Sequence, residues 1–274
     1  MKVVAVQGSP HTGNTYARVE QFAEALRSLG DVTFEHIRLK DAKLEPCRGC
    51  FACFSHGEDA CPLKDDREAI EHKMFHADAV VFASPVYAMH ISSLLKRFVD
   101  RLAYTFHRPR YFGRYALGLC VTGGIGLKPA LQYIRMFSGA WGFEHIGSLR
   151  YIDPPRHSAM PRLMKTKDRT RDMAGKLHEL MRTKPARRLT SGDYLMFHMM
   201  RAVYKRMKPF APVDHAYWQE QGWLASGARY FTEHARTGVL KSLYPRLAAW
   251  CMGRVIDKEL AKSENTRKGG DTGQ

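Results

Sequence analysis

A short apolar run, Val3-Val4-Ala5-Val6, leads directly into Gly8-Ser9-Pro10-His11-Thr12-Gly13-Asn14-Thr15, and no other stretch constrains the fold as much. The run reads as a buried β-strand. After the turn, Val19, Phe22, Ala23, Leu26 and Leu29 recur at helical spacing. A turn rich in glycine and hydroxyls between a strand and a helix N-terminus suits a phosphate. The orphan N–H groups of the first helical turn point at the anion, and the helix dipole favours negative charge there. Glycine lets the backbone approach, while Ser9, Thr12, Asn14 and Thr15 add side-chain donors. The lysine of the Walker loop is absent, and so is the dinucleotide pattern G-x-G-x-x-G. The competing reading is an ordinary turn whose Ser and Thr cap the helix.

Two later segments favour the phosphate. Ala79-Val80-Val81-Phe82-Ala83 reads as a strand and is followed by Ser84-Pro85-Val86-Tyr87, a turn stiffened by proline. Ala116-Leu117-Gly118-Leu119-Cys120-Val121 is followed by Thr122-Gly123-Gly124. Ligands of open α/β sheets bind outside the carboxyl ends of the strands. Three loops there, one phosphate-like, one stiff and aromatic and one glycine-rich, describe a site for a flat, phosphorylated cofactor.

In that order, GSPHTGNT, ASPVYAMHISSLLKRFVDR and VTGG resemble the flavodoxin-like NAD(P)H-dependent FMN reductases and the related iron–sulfur flavoproteins, over about residues 1–150. The resemblance implies that Ser9, His11, Gly13, Asn14 and Thr15 wrap the FMN phosphate. It implies that Pro85, Val86 and Tyr87 edge the isoalloxazine ring and that Thr122, Gly123 and Gly124 close its other side. Tyr87 either contacts the ring or is a rim aromatic. Leu95, Lys96, Asp100 and Arg101 read as scaffold.

The pattern predicts strands at 2–7, 32–38, 79–83, 115–121 and 144–151, and helices at 15–29, 66–76, 91–105 and 127–140. Strand alternating with helix gives an α/β doubly wound, five-stranded parallel sheet. The resemblance supplies the flavodoxin-like strand order. No apolar run reaches the roughly 18 residues of a membrane span, and no signal peptide is read at the start, so a cytoplasmic protein is expected.

Cys47-x₂-Cys50-x₂-Cys53-x₇-Cys61 lies between the second strand and the second helix. Close spacing within one loop suits a metal or free thiols better than a disulfide framework. Four thiolates satisfy a [4Fe–4S] cluster or Zn²⁺. The segment resembles the compact cysteine motif of iron–sulfur flavoproteins, while some relatives carry similar cysteines without an obvious cluster. Cluster, zinc and thiol-bearing loop all stay open. Cys120 and Cys251, in apolar contexts, read as core.

Beyond Pro154-Pro155 the character changes. Residues 156–274 carry 24 Lys+Arg against 11 Asp+Glu, so most of the net charge of +16 lies there. The expected organisation is an FMN-binding domain over 1–155 with the cysteine loop 47–61, a basic, mostly helical C-terminal extension over 156–262, and a disordered tail over 263–274. A helix at 193–208 would place Met196, Met199, Met200, Val203 and Met207 on one face and His198, Arg201, Lys205 and Lys208 on another. A second, at 239–262, carries Leu240, Leu243, Leu247 and Trp250, with a basic row of Arg246, Arg254, Lys258 and Lys262 and a bend or start at Pro245. Asp214, Tyr217, Trp218, Gly222 and Trp223 form an aromatic knot between them.

No nucleic-acid signature accompanies the basic excess, and no nucleic-acid partner is expected. Spaced cations on a helix read as a solvated face or as peripheral contact with an anionic surface. The implied activity is FMN-dependent oxidation of NAD(P)H with transfer to a quinone, flavin or similar acceptor. The alternative is an electron carrier between proteins through FMN and a [4Fe–4S] cluster. The cofactor supplies the reactivity, so no side-chain catalytic base is expected. The resemblance implies a homodimer or tetramer.

Overall fold

The structure is a computed structural model that describes residues 1–153, 168–232 and 250–259. The chain divides into one unit of Met1–Cys50 with Cys61–Pro185 and another of Phe51–Ala60 with Ala186–Gln274.

The first unit is built on strands β1 (Lys2–Gln7), β3 (Ala79–Tyr87) and β5 (Tyr115–Thr122). Their apolar runs are buried from end to end, as a parallel sheet covered on both faces requires. With β2 (Thr33–Arg38) and β6 (Glu144–Ile152) at the edges, the parallel order is β2-β1-β3-β5-β6. This is the flavodoxin-like doubly wound arrangement expected from the sequence, with its switch point between β1 and β3. A two-residue strand, β4 (His90–Ile91), pairs antiparallel with the end of β3.

One face is covered by α1 (Asn14–Arg27) and by α6 (Thr170–Thr183), which pack on each other. Val19, Phe22, Ala23 and Leu26 of α1 are buried with Met173, Ala174 and Leu177 of α6 against β1, β3 and β5. Each large apolar side chain buried there stabilises the fold by roughly 1.5–3 kcal/mol. On the other face, Phe98 of α4 (Ser93–Arg101) and Phe137 of α5 (Leu127–Ala140) join Trp141 and Phe82 in edge-on and tilted aromatic contacts. Helix α3 (Arg67–Phe75) joins the cysteine segment to β3. Among the described residues, no helix is long and apolar enough to cross a membrane.

Several boundaries differ from the sequence expectation. Helix α1 ends at Arg27, and Leu29 is exposed, because Gly30 breaks the helix with a φ of +155°. The expected helix 91–105 is α4 followed by a 3₁₀ turn, Ala103–Phe106. Strand β3 runs on through Pro85, Val86 and Tyr87, where a turn was expected. Proline is tolerated there because β3 is ending: Pro85 is its last residue in register with β5, and Val86 and Tyr87 pair with β4. Helix α6 was not read from the sequence, and it carries the first unit past residue 155 to Pro185.

The second unit holds the one-turn α2 (Ala52–Ser55), α7 (Ser191–Arg206) and α8 (Pro212–Glu220). Thr190 and Asp193 form a capping box that starts α7. The buried face of α7 is Tyr194, Phe197, His198, Ala202 and Tyr204, whereas Met196 of the expected methionine face is 57% exposed. His198, expected on the polar face, is buried. The aromatic knot explains the rotation: Trp218 packs on Phe197 and Tyr204, and Phe231 packs on Phe197 and Trp223. Aromatic rings bury more surface than methionines and take the inner face. Of the expected 239–262 helix, 250–259 is described and helical, and Cys251, expected in the core, is exposed. The rest of that segment and the tail 263–274 lie outside the described residues.

Candidate functional site

The first loop meets the sheet at Gly8, whose N–H donates to the Ala83 carbonyl (2.8 Å). A side chain at Gly8 would lie 2.6 Å from Ser92 Oγ and 2.7 Å from Leu95 Cβ, so only glycine fits. Ser9 Oγ donates to the His11 carbonyl (2.8 Å) and accepts from the His11 N–H (3.3 Å), which makes Ser9 a shaper of the loop. Thr15 is buried, Gly13 and Asn14 are half-buried, and His11 and Thr12 are exposed. Gly13 is the N-cap of α1, and no side chain caps that helix. The turn therefore does not spend its hydroxyls on capping, in contrast to α4, where Ser92 Oγ accepts from the Leu95 N–H.

The second loop is a hairpin. Val86 pairs with Ile91 and Tyr87 with His90, leaving Ala88 and Met89 at the turn with φ of +46° and +68°. Both central residues are thus left-handed, the geometry of a tight hairpin turn, held here without glycine or asparagine. Pro85 is buried, while Tyr87 is 48% exposed. Ser84 and Ser92 brace the base: Ser84 Oγ donates to the Pro85 carbonyl and accepts from the Ser92 N–H, and Ser92 Oγ donates to the Gly8 carbonyl (2.6 Å). The first and second loops are knitted together by these bonds.

The third loop follows β5. Thr122 Oγ1 donates to the Ile125 carbonyl (2.7 Å) and accepts from the Gly124 N–H (3.2 Å), while Gly123 and Gly124 stay exposed. Gly126 closes the loop with a φ of +92°, and a side chain there would lie 2.8 Å from Val86 Cγ1 and 2.9 Å from Met89 Cα. The third loop and the hairpin thus form one continuous rim.

Asp153, just past β6, joins the third loop to the first. Its N–H donates to the Thr122 carbonyl, and its own carbonyl accepts from Asn14 Nδ2 (3.3 Å). Its carboxylate receives both Nε and Nη2 of Arg18 (2.6 and 2.8 Å), a bidentate pair. Hydrogen bonding to Asp153 raises the Arg18 pKa further, against the effect of burial. The sequence reading missed Arg18, Ser84, Ser92, Gly126 and Asp153. Ser92 carried a readable signal, as a serine directly before a helical pattern.

The cysteine segment has a different organisation. Cys47 and Cys50 are exposed in chain without regular structure, Cys53 lies in α2, and Cys61 returns to the first unit. Arg101 anchors that return. Its guanidinium pairs with Asp65, donates to the carbonyls of Glu45 and Leu63, and lies 3.7 Å from Cys61 Sγ. Burial works against the Asp65 carboxylate, but the bonds from Arg101 and from the Glu45 and Arg67 N–H groups outweigh it and lower its pKa. Among the described residues, no three His, Cys, Asp or Glu side chains are grouped to hold a metal, so the four cysteines as they stand do not form a ligand set.

Residues 1–157 match the family described as NADPH-dependent FMN reductase. An iron–sulfur flavoprotein of Archaeoglobus fulgidus is 26% identical over 228 residues, covering 82% of this chain and 100% of that protein. An iron–sulfur flavoprotein of Methanocaldococcus jannaschii is 39% identical over 142 residues, covering 50% of this chain and 71% of that protein. Among solved structures, RosB with a bound 8-demethyl-8-formylriboflavin-5′-phosphate intermediate aligns with a TM-score of 0.50 at 13% identity, over 66% of this chain and 79% of that one, a likeness of fold. The family match spans more than half of the chain and contains all three loops, and on it the chain belongs to the NADPH-dependent FMN reductases.

Proposed function

We propose that this protein binds FMN in the crevice formed by residues 8–15, 84–91 and 122–126 and oxidises NAD(P)H at the expense of a quinone, flavin or similar acceptor. The observation that carries the reading is the N-terminus of α1: its first-turn N–H groups follow a glycine-rich loop and have no side-chain cap. That is the arrangement that receives a phosphate. The residues present fit the cofactor, since the first turn of α1 carries no side-chain cap and a side chain at Gly13 or Gly124 would meet nothing within 4 Å, so donors and open space are both present.

In this reading the N–H groups of the first loop, with Asn14 and Thr15, hold the phosphate. Pro85, Val86 and Tyr87 edge the ring, and Gly123 and Gly124 leave room on its other side. Ser9 and Thr122 serve by shaping their loops, and Arg18 holds Asp153 so that Asn14 and Thr122 keep their places. Bound FMN supplies hydride acceptance and electron release, and the protein supplies position and electrostatics. The Asn14→Ala/Thr15→Ala variant should weaken FMN binding about tenfold or more, because charge-assisted bonds to a phosphate are each worth about 1.5–3 kcal/mol. Fluorescence titration with FMN checks this, and full flavin retention by the double variant would sink the loop assignment.

A second reading is favoured by the spacing Cys47, Cys50, Cys53, Cys61 and by the names of the two relatives: an iron–sulfur flavoprotein that carries electrons between protein partners. Among the described residues the thiols are not gathered into a ligand set. Anaerobic purification with iron, sulfide, zinc and FMN analysis separates the two readings. About four iron and four sulfide per chain support the second, and FMN without metal supports the first. The proposed assembly is a homodimer or tetramer, which light scattering after size exclusion tests.

A further inference from the structure

A groove of about 900 Å³ runs along the free edge of the sheet, within the first unit. Strand β6 forms its base, α5 one wall and α6 the other, with Leu149, Tyr151 and Met173 as an apolar floor. Five exposed cations surround it: Lys128 and Arg135 on α5, Arg150 on β6, and Arg169 and Lys176 on the α6 side. Among the described residues, Asp172 is the one acid in the lining. The seven-residue intervals 128–135 and 169–176 correspond to two helical turns, or about 10 Å, so each wall carries one cation near either end.

Among the described residues, Lys128, Arg135, Arg150 and Arg169 make no ion pair or side-chain hydrogen bond. Lys176 Nζ donates to the Ile146 carbonyl (2.7 Å). His145, also in the lining, hydrogen-bonds with Ser138 and Ser148. Burial, helped by nearby Arg135, pushes its pKa down to about 4, so it adds no charge near neutrality. Like charges around a concave surface repel one another and raise the local potential, and an anionic occupant relieves both effects.

The shape selects the kind of anion. Residues 145 to 151 of β6 span about 20 Å, and the cations are distributed along that length. A small phosphorylated ligand would need donors converging on one point. The lower end of the edge is blunted. The register against β5 shifts at Ala116/Leu117, Gly147 has a φ of +152°, and Lys176 covers the Ile146 carbonyl. Bulges and lysines of this kind discourage strand addition. Above the bulge, residues 148–151 stay in register with β5 and, among the described residues, have no strand neighbour on their other side. We infer that an acidic, extended segment of a partner protein docks in this groove, pairing with the edge of β6 over residues 148–151 and placing its carboxylates between the two cation rows.

The test uses the full chain and a fluorescein-labelled octapeptide of alternating Glu and Val, read by fluorescence anisotropy at 50 and 200 mM NaCl. The Arg135→Glu/Arg169→Glu variant should weaken binding at least tenfold and flatten the salt dependence. Arg135→Gln/Arg169→Gln should fall between it and the parent. Reversing two exposed cations of the other unit, Lys208→Glu/Arg229→Glu, should change binding less than twofold. Hydrogen exchange with the octapeptide bound should show new protection at 148–151. The inference is overturned if the groove variants lose no more affinity than the remote one, or if a Lys–Val octapeptide binds as well. It is equally overturned if protection appears outside β6. Tighter, groove-dependent binding of inorganic triphosphate or of phosphatidylglycerol vesicles would also reject it, in favour of a small-anion or a membrane site. None of these readouts requires flavin, so failure here leaves the proposed redox function standing.

Discussion

Replacing Gly126 with alanine tests whether the hairpin after β3 and the loop after β5 form one rigid rim. Gly126 has a φ of +92°, and its new Cβ would sit 2.8 Å from Val86 Cγ1 and 2.9 Å from Met89 Cα. Holding a residue with a Cβ in the left-handed region costs about 1–2 kcal/mol. Forcing a methyl into filled space costs typically about 1–3 kcal/mol, and a backbone atom such as Met89 Cα cannot rotate away as a side chain can. The expected loss is thus about 2–5 kcal/mol, a large share of the roughly 5–15 kcal/mol that holds a typical domain folded. Gly124, two residues earlier, is the internal control. Its Cβ would meet nothing within 4 Å, and its φ lies outside the left-handed range. Gly124→Ala should stay within about 0.5 kcal/mol of the parent. Urea unfolding followed by far-ultraviolet circular dichroism measures both. If Gly126→Ala were no less stable than Gly124→Ala, the close approach of hairpin and loop would be wrong.

Other perturbations follow the same physics. His145 has its pKa lowered from 6.5 to about 4, so between these values the unfolded chain binds more protons than the folded one. Its contribution is complete above about pH 6.5 and fades as pH falls toward 4, by up to about 3 kcal/mol. His145→Gln should flatten that acid slope in urea titrations from pH 7 to pH 4.5, and an unchanged slope counts against the assignment. Asp65→Asn leaves Arg101 buried without its counter-charge and should cost about 3–5 kcal/mol. It should also speed alkylation of Cys61 by iodoacetamide, and an unaltered alkylation rate would show that Arg101 does not anchor that end of the loop. Arg18→Met removes the bidentate bond to Asp153 and should cost about 1–3 kcal/mol, with weaker FMN binding as Asn14 loses its support. Equal FMN affinity in that variant would exclude Asp153 from shaping the site.

The sheet was legible because its three inner strands are unbroken apolar runs, and a strand buried on both faces needs no finer pattern to be seen. Loop positions followed from strand ends. The hairpin was not legible, because Ala88 and Met89 are ordinary residues in a conformation that sequence normally announces with glycine or asparagine. Asp153 and Arg18, 135 positions apart, meet only once β6 lies beside β5, and nothing local in the sequence marks the pair. The face of α7 was misread for a related reason. Its methionines and its aromatics are both helically spaced, and the choice between them is made by Trp218 and Phe231, which arrive from elsewhere in the chain. The groove beside β6 was likewise hidden, since its cations come from three separate elements.

The partition of the cysteine segment bears on how this protein can be taken apart. Phe51–Ala60 is grouped with residues 186–274, although it is an excursion from the middle of the first unit, and α2 packs on α8. Cutting the chain after Pro185 would therefore do more than shorten it. It would strip the packing from ten residues in the centre of the four-cysteine motif, Cys53 among them. A truncated protein that failed to hold iron would say nothing about whether its thiols are ligands, and a cysteine variant that altered residues 186–274 would say nothing about chemistry. The ownership of the motif has to be read in the intact chain, one thiol at a time.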